Sequence, residues 1–251
     1  MTRDVARQVL QTELDAVRGV LESLDEVFDR AVDMLTACAG RIVWTGMGKS
    51  GIICHKLAAT MRSTGTPALH LHPADAIHGD LGMLTRDDLV VAVSNSGATE
   101  EILRLVEFLK RQGILLIAMT SDPDSPLAEA ADLHLDLGVR REACPLDLAP
   151  TASTTASLAL GDALAMEVAV RKGFNEEDFA RLHPGGRLGK KFLKVGELMH
   201  TGDAVPRVST DTSMKDVIYE MSRKGLGVTT VQDAAGRLVG VITDGDLRRL
   251  M

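Results

Sequence analysis

Five short apolar runs constrain this chain more than any other feature. They are Ile42-Val43-Trp44, Ala68-Leu69-His70-Leu71, Leu89 to Val93, Ile114 to Met119, and Leu133 to Leu137. Short, near-continuous runs of this kind are what strands buried on both faces look like. Amphipathic stretches of helical length separate the first four, starting near Ser50, Ala74 and Thr99. Strands that alternate with helices predict an α/β fold, a doubly wound parallel sheet of five strands with ligands bound outside the strands' carboxyl ends.

Ahead of the first run, from Asp4 to Cys38, apolar residues recur at helical intervals: Val9, Leu10, Leu14, Val17, Val20, Leu21, Leu24, Val27 and Leu35. This predicts an N-terminal helical arm, broken near Leu24. Beyond the fifth run, Arg140 to Pro150 holds two prolines and no period, and reads as a loop. A long helix rich in small residues follows from about Ser153 to Lys172. His183-Pro184-Gly185-Gly186 marks another turn, and Lys190-Lys191 begins a change of pattern. From Val195 the reading is β-α-β-β: a helix over Asp216 to Arg223, then strands over Gly227 to Val231 and Arg237 to Ile242. The expected division is a large domain at 1–193 and a small, incomplete one at 194–251, which stops at Met251 inside its last helix.

Composition excludes some functions. With 3% aromatic residues and a formal charge of −7, the chain lacks the stacking surface and basic footprint of a nucleic-acid binder. A small anion is still accessible to a local cation, Lys49 or Arg62. No stretch approaches the roughly 20 apolar residues of a membrane span, and Met1-Thr2-Arg3-Asp4 does not open a signal peptide. Cys38, Cys54 and Cys144 are odd in number and without metal spacing, as expected of reduced thiols in a cytoplasmic protein.

Two strand exits attract attention. Leu89 to Val93 runs straight into Ser94-Asn95-Ser96-Gly97-Ala98-Thr99, and a helical pattern follows at once. One serine suffices to cap a helix; three hydroxyls beside a helix N-terminus suit a phosphate monoester better. Glu100 and Glu101 oppose that reading unless they point elsewhere. The first strand exits into Thr45-Gly46-Met47-Gly48-Lys49-Ser50-Gly51. Its glycines allow a backbone to approach a ligand, although a tight turn with a surface lysine explains them as well, and the spacing is not that of a P-loop. His72, Asp75, His78 and Asp80 follow the second strand without tight ligand spacing, so no metal is expected. From spacing alone Glu142 and His183 read as an ordinary surface glutamate and loop histidine.

Taken together, Gly46 to Gly51, His78-Gly79-Asp80-Leu81-Gly82, Ser94 to Thr99, Glu142-Ala143-Cys144-Pro145-Leu146, Leu148-Ala149-Pro150-Thr151 with Ser153-Thr154-Thr155, Gly161-Asp162-Ala163-Leu164 and His183 to Gly186 resemble the sugar isomerase (SIS) domain superfamily. Within it they resemble the arabinose 5-phosphate isomerase family, from about Arg41 onward. Ala98 stands where close relatives often have glutamate. The tail Gly236 to Leu247 resembles a CBS motif; such motifs usually come in pairs, and this chain contains one.

The resemblance implies an aldose-ketose isomerase that interconverts D-arabinose 5-phosphate and D-ribulose 5-phosphate for Kdo and lipopolysaccharide synthesis, with no cofactor and as a homotetramer. It places Lys49, Glu101, Glu142 and His183 in the active site. Glu142 is assigned as the C1/C2 base, His183 as the ring-opening acid/base, Lys49 as the partner of the enediolate oxygen, and Glu101 as a tuner of Lys49 or a sugar-hydroxyl contact. The reverse assignment of Glu142 and His183 stays open, as does action of His183 in a neighbouring subunit's pocket. Gly48, Ser50, His78, Ser94, Asn95, Ser96, Thr99 and Thr154 complete the substrate site, and Thr243 and Asp246 are the expected adenine-nucleotide contacts of the CBS motif. Two other readings survive at this level: a non-catalytic sugar-phosphate sensor, and an SIS isomerase acting on another ketose phosphate.

Overall fold

The computed structural model describes residues 3–183 and 195–250. The chain divides into two compact units, residues 1–191 and 192–251. Pro184-Gly185-Gly186 and Lys190-Lys191 lie outside the described residues.

The first unit opens with α1 (Asp4–Glu22) and α2 (Glu26–Ala37), interrupted at Ser23 to Asp25, where the Asp25 carboxylate accepts from the Val27 amide and starts the second helix. Five strands follow: β1 (Ile42–Gly46), β2 (Ala68–Leu71), β3 (Leu89–Val93), β4 (Leu115–Thr120) and β5 (Leu133–Asp136). All are parallel, in the order β2-β1-β3-β4-β5. Between them run α3 (Gly48–Ser63), α4 (Pro73–Ile77), α5 (Glu100–Gln112) and α6 (Pro126–Ala130), and beyond them α7 (Ala152–Arg171) and α8 (Glu176–Leu182).

Strand periodicity sorts the core into two layers. Ile42, Trp44, Val91, Val93, Ile117 and Met119 face one side, against α2, α3 and α7. Val43, Val90, Ala92, Leu116 and Ala118 face the other, against Ile102, Leu105, Val106 and Leu109 of α5. Each such fully buried large side chain contributes roughly 1.5–3 kcal/mol relative to exposure. Trp44 is wholly buried, and its indole N–H meets Met61 Sδ at 3.4 Å. Gly161 lets α7 close on α3, since a Cβ there would lie 2.3 Å from Leu57 Cδ1.

Two sequence expectations need correction. The stretch beginning near Ala74 is not a full helix. The five-residue α4 ends at Ile77, and a short 3-10 turn over Asp80–Met83 follows, because Gly79 takes φ 135° and breaks the helical path. The helix after β1 begins at Gly48 rather than Ser50.

The second unit contains α9 (Val195–Leu198), β6 (Arg207–Ser209), α10 (Met214–Lys224), β7 (Val228–Gln232), β8 (Leu238–Thr243) and α11 (Asp244–Leu250). Its sheet order is β6-β7-β8, with β6 and β7 parallel and β8 antiparallel to β7. Val208, Val217 and Met221 form its small core. Among the described residues no helix is long and apolar enough to cross a membrane.

Candidate active site

In this strand order β1 and β3 are neighbours, while α3 leaves on one face of the sheet and α5 on the other. Their carboxyl ends therefore part, and the crevice between them is where open α/β sheets bind ligands. Gly46 and Gly51 make the β1–α3 turn tight: a Cβ on Gly51 would sit 2.5 Å from Gly46 O. Met47, at the N-cap, supplies no side-chain cap, so the first amides of α3 keep their donor capacity. Lys49 is exposed and, among the described residues, makes no hydrogen bond or ion pair; Ser50 is half-buried beside it. Arg62, the other candidate cation, lies in the last turn of α3 and donates to Ala68 O at 3.1 Å, which removes it from this crevice.

On the β3 side, Ser94 is buried and shares a 2.9 Å hydrogen bond with Thr99. Thr99 occupies the N-cap of α5, yet its side chain does not cap. Ser96 is exposed and, among the described residues, its hydroxyl meets only the Ala98 amide, at 3.4 Å. The three hydroxyls are thus not consumed in starting the helix. Gly97 is obligatory here: φ is +60°, and a Cβ would fall 2.0 Å from Ser125 Oγ. Glu100 turns back along α5 to Arg104, away from the crevice mouth, and Glu101 is half-buried.

The next two strand exits are tied to this loop through Ser121, a residue that sequence reasoning missed. Ser121 donates its amide to Asn95 O at 2.9 Å and its hydroxyl to Asn95 Oδ1 at 2.7 Å, and accepts from the Val139 amide at 3.1 Å. Arg140 donates to Ser121 O at 3.4 Å. The side-chain oxygen of Asn95 therefore orders the loops. The signal was present in the position of Ser121, two residues past the fourth apolar run and directly after β4.

Glu142 follows in the same segment. Its carboxylate accepts from the Thr151 amide (2.8 Å), the Thr151 hydroxyl (3.1 Å), the Ser153 amide (3.1 Å) and, at short range, the Ser153 hydroxyl. Thr151 and Ser153 open α7, so a side chain nine residues upstream serves as that helix's cap. Thr154 instead donates its hydroxyl to Thr151 O at 2.8 Å. The amides of Ala149, Leu148 and Leu146 point toward Cys144 and hold its thiol pKa below the ordinary value.

Histidines flank the first loop. Gly48, Gly51, Ile52, His55, Lys56, His70 and His72 line an open, mostly apolar hollow of about 490 Å³. Burial, then the neighbouring His55 and His72, lower the pKa of His70. His78 is exposed. Among the described residues no group of three or more His, Cys, Asp or Glu side chains is placed to hold a metal ion.

The structure does not bring His183 to this cluster. It stacks on Phe179, with centroids 4.0 Å apart, and its Nδ1 lies 2.9 Å from Phe179 O. Its helix, α8, follows Phe174, which packs on Gly65 in the turn leading to β2, at the amino edge of the sheet. In the second unit, Thr243 and Asp246 are committed to each other. Asp246 accepts from the Thr243 amide at 2.9 Å and hydroxyl at 2.7 Å, and these bonds, with Arg249, hold its pKa down to about 2.

Comparison with known proteins decides the family. The SIS domain family matches residues 35–167, and the CBS domain family matches residues 195–251. The arabinose 5-phosphate isomerase KdsD of Pseudomonas aeruginosa is 52% identical over 247 residues, which is 98% of this chain and 76% of that protein. The chain belongs to the arabinose 5-phosphate isomerase family. Its Escherichia coli K12 relative, also an arabinose 5-phosphate isomerase KdsD, is 47% identical over 99% of this chain and 76% of its own length. Among solved structures, an E. coli CFT073 protein in complex with arabinose 5-phosphate is 44% identical with a TM-score of 0.69, and the match covers 71% of this chain and 95% of that one.

Proposed function

We propose that this member of the arabinose 5-phosphate isomerase family interconverts D-ribulose 5-phosphate and D-arabinose 5-phosphate through a cis-enediol. The observation that carries the reading is the crevice itself. The hydroxyls of Ser94, Ser96 and Thr99, none of which caps α5, stand on one side of it, and Lys49, without a partner among the described residues, on the other. The hydroxyls and the amides at the start of α5 hold the 5-phosphate. Gly48, Ser50, Asn95, His78 and Thr154 complete the surroundings of the sugar.

The aldose closes through its 4-hydroxyl, whereas the ketose cannot close through an esterified 5-oxygen. Catalysis therefore needs ring opening and then proton transfer between C2 and C1. Glu142 is the base for the transfer, Lys49 stabilises the enediolate oxygen, and Glu101 tunes Lys49 or contacts sugar hydroxyls. His183 opens the ring. Among the described residues its imidazole stays with Phe179 of its own helix, which favours action in the pocket of a neighbouring subunit of a homotetramer. The isomerase domain is 1–193, and 194–251 is a CBS motif with Thr243 and Asp246 toward an adenine nucleotide. The setting is the cytoplasm, where the product enters Kdo and lipopolysaccharide synthesis. Incubation with ribulose 5-phosphate, without metal or nucleotide, tests the reaction: arabinose 5-phosphate should accumulate, and its absence would overturn the reading.

A further inference from the structure

The four bonds to Glu142 are unequal. A carboxylate offers about two lone-pair directions on each oxygen. Oε2 receives the amides of Thr151 and Ser153 and shares the proton of the Thr151 hydroxyl with Ala149 O, so it is filled. Oε1 receives one donor among the described residues, the hydroxyl of Ser153. One direction on Oε1 is left open. From the opposite side, Asp147 accepts the Glu142 amide at 2.5 Å. Asp147 does so from the left-handed region, at φ 55°, an uncommon conformation for a residue other than glycine. The segment is thus organised around Glu142 from both sides, and Ser153 is itself rigid: 3% exposed, in the first turn of a 20-residue helix.

We infer that Ser153 is a positioning residue that acts through Glu142, and that Oε1 is the oxygen that exchanges the proton with substrate while Oε2 is the anchor. This rests on the proposed isomerase reading. In the aldose-to-ketose direction Oε1 takes the proton from C2. The C–H electron pair becomes the C1–C2 double bond, and O1 takes a proton from solvent, to which the 2-hydroxyl later returns one. The enediol then takes the proton back at C1 as the 2-hydroxyl loses its own, so no electron acceptor is required. With its hydroxyl bonded to Oε1, Ser153 pins the carboxylate plane. Without that bond the carboxylate rotates about its anchored oxygen, and the reactive geometry is populated less of the time.

The test is a double-mutant cycle of Ser153→Ala and Glu142→Gln, reading kcat, KM and hydrogen–deuterium exchange at the reacting carbons. Loss of one charge-assisted hydrogen bond predicts a fall in kcat of about 10- to 100-fold for Ser153→Ala, with KM little changed. In the Glu142→Gln background the same substitution should have no further effect, which a merely structural role would not produce. Ser153→Cys, which keeps the volume but donates weakly, should fall between wild type and alanine and serves if the alanine variant does not fold. If Glu142→Gln loses turnover but both Ser153 variants keep it, the positioning role is overturned. Equal losses in both backgrounds overturn it too, because Ser153 then acts independently of Glu142. If Glu142→Gln itself turns over at the wild-type rate, the assignment of the base has failed, and this inference with it.

Discussion

The two edges of the five-stranded sheet treat polar groups in opposite ways. At the amino edge, Asp88 is 2% exposed and fully engaged. One of its oxygens accepts from the Arg41 amide and Nε, the other from the Arg41 guanidinium terminus and the Thr85 amide, at 2.8–3.2 Å. Burial pushes its pKa up, but the Arg41 guanidinium and the two amides more than compensate and hold it below the ordinary aspartate value. Gly40 leaves no gap beside the pair, since a Cβ there would meet Asp87 O at 2.6 Å. At the carboxyl edge, among the described residues, Lys49 is unpaired, Ser96 is nearly so, and the buried His70 Nε2 and His72 Nδ1 lack hydrogen-bond partners. A buried charge that is fully partnered is costly to unpair; donors left over at a strand exit are available to a ligand. Glu142 combines the two habits: among the described residues one oxygen is filled and the other takes a single donor.

The comparison can be broken by experiment. The largest effect on turnover should come from Glu142→Gln, which keeps the shape but removes the base. Turnover should fall about 10²–10⁴-fold with substrate binding retained, measured as initial rates with ribulose 5-phosphate and as lost deuterium exchange. At the other edge, Asp88→Asn should reverse the pattern. Denaturant unfolding should show a loss of about 3 kcal/mol, while kcat of the folded fraction stays near wild type. Ser96→Ala should raise KM about 10- to 100-fold with a small change in kcat, since a charge-assisted bond to the phosphate is lost. Unaltered affinity for the phosphosugar would remove Ser96 from the phosphate site.

The smallest effect concerns pH. Burial lowers the pKa of the His70 imidazole, His55 and His72 act in the same direction, and Asp75 opposes them. The unfolded chain takes up a proton below about pH 6.5 while the folded chain resists it, so stability is full above that pH and falls as the pH drops below it. The thermal midpoint should therefore decline on acidification, and His70→Gln should flatten the decline; an unchanged slope would mean other groups set it.

How much was legible follows from the same contrast. The five apolar runs are local signals, because a strand buried on both faces must be apolar along its length, and each run became a strand. The hydroxyl cluster at Ser94 to Thr99 was legible because three side chains with one chemistry stand within six residues. The stretch after β2 misled, since Ala74 to Met83 carries enough apolar residues for a helix and only the conformation of Gly79 shows that it is not one.

By itself, then, the sequence determined the layer architecture, the helical arm with its break, and which strand exits carry donors. Those properties depend on residues close together in the chain, where periodicity and side-chain type act directly. Tertiary structure alone decided which donors remain available. Arg62 left the site because its helix ends at the far edge, Asn95 was drawn to Ser121 across 26 positions, and Glu142 was anchored by the start of a helix it does not belong to. Hydrogen bonds of that kind form between groups that no local pattern relates, and they exist only once the strands have set the loops side by side.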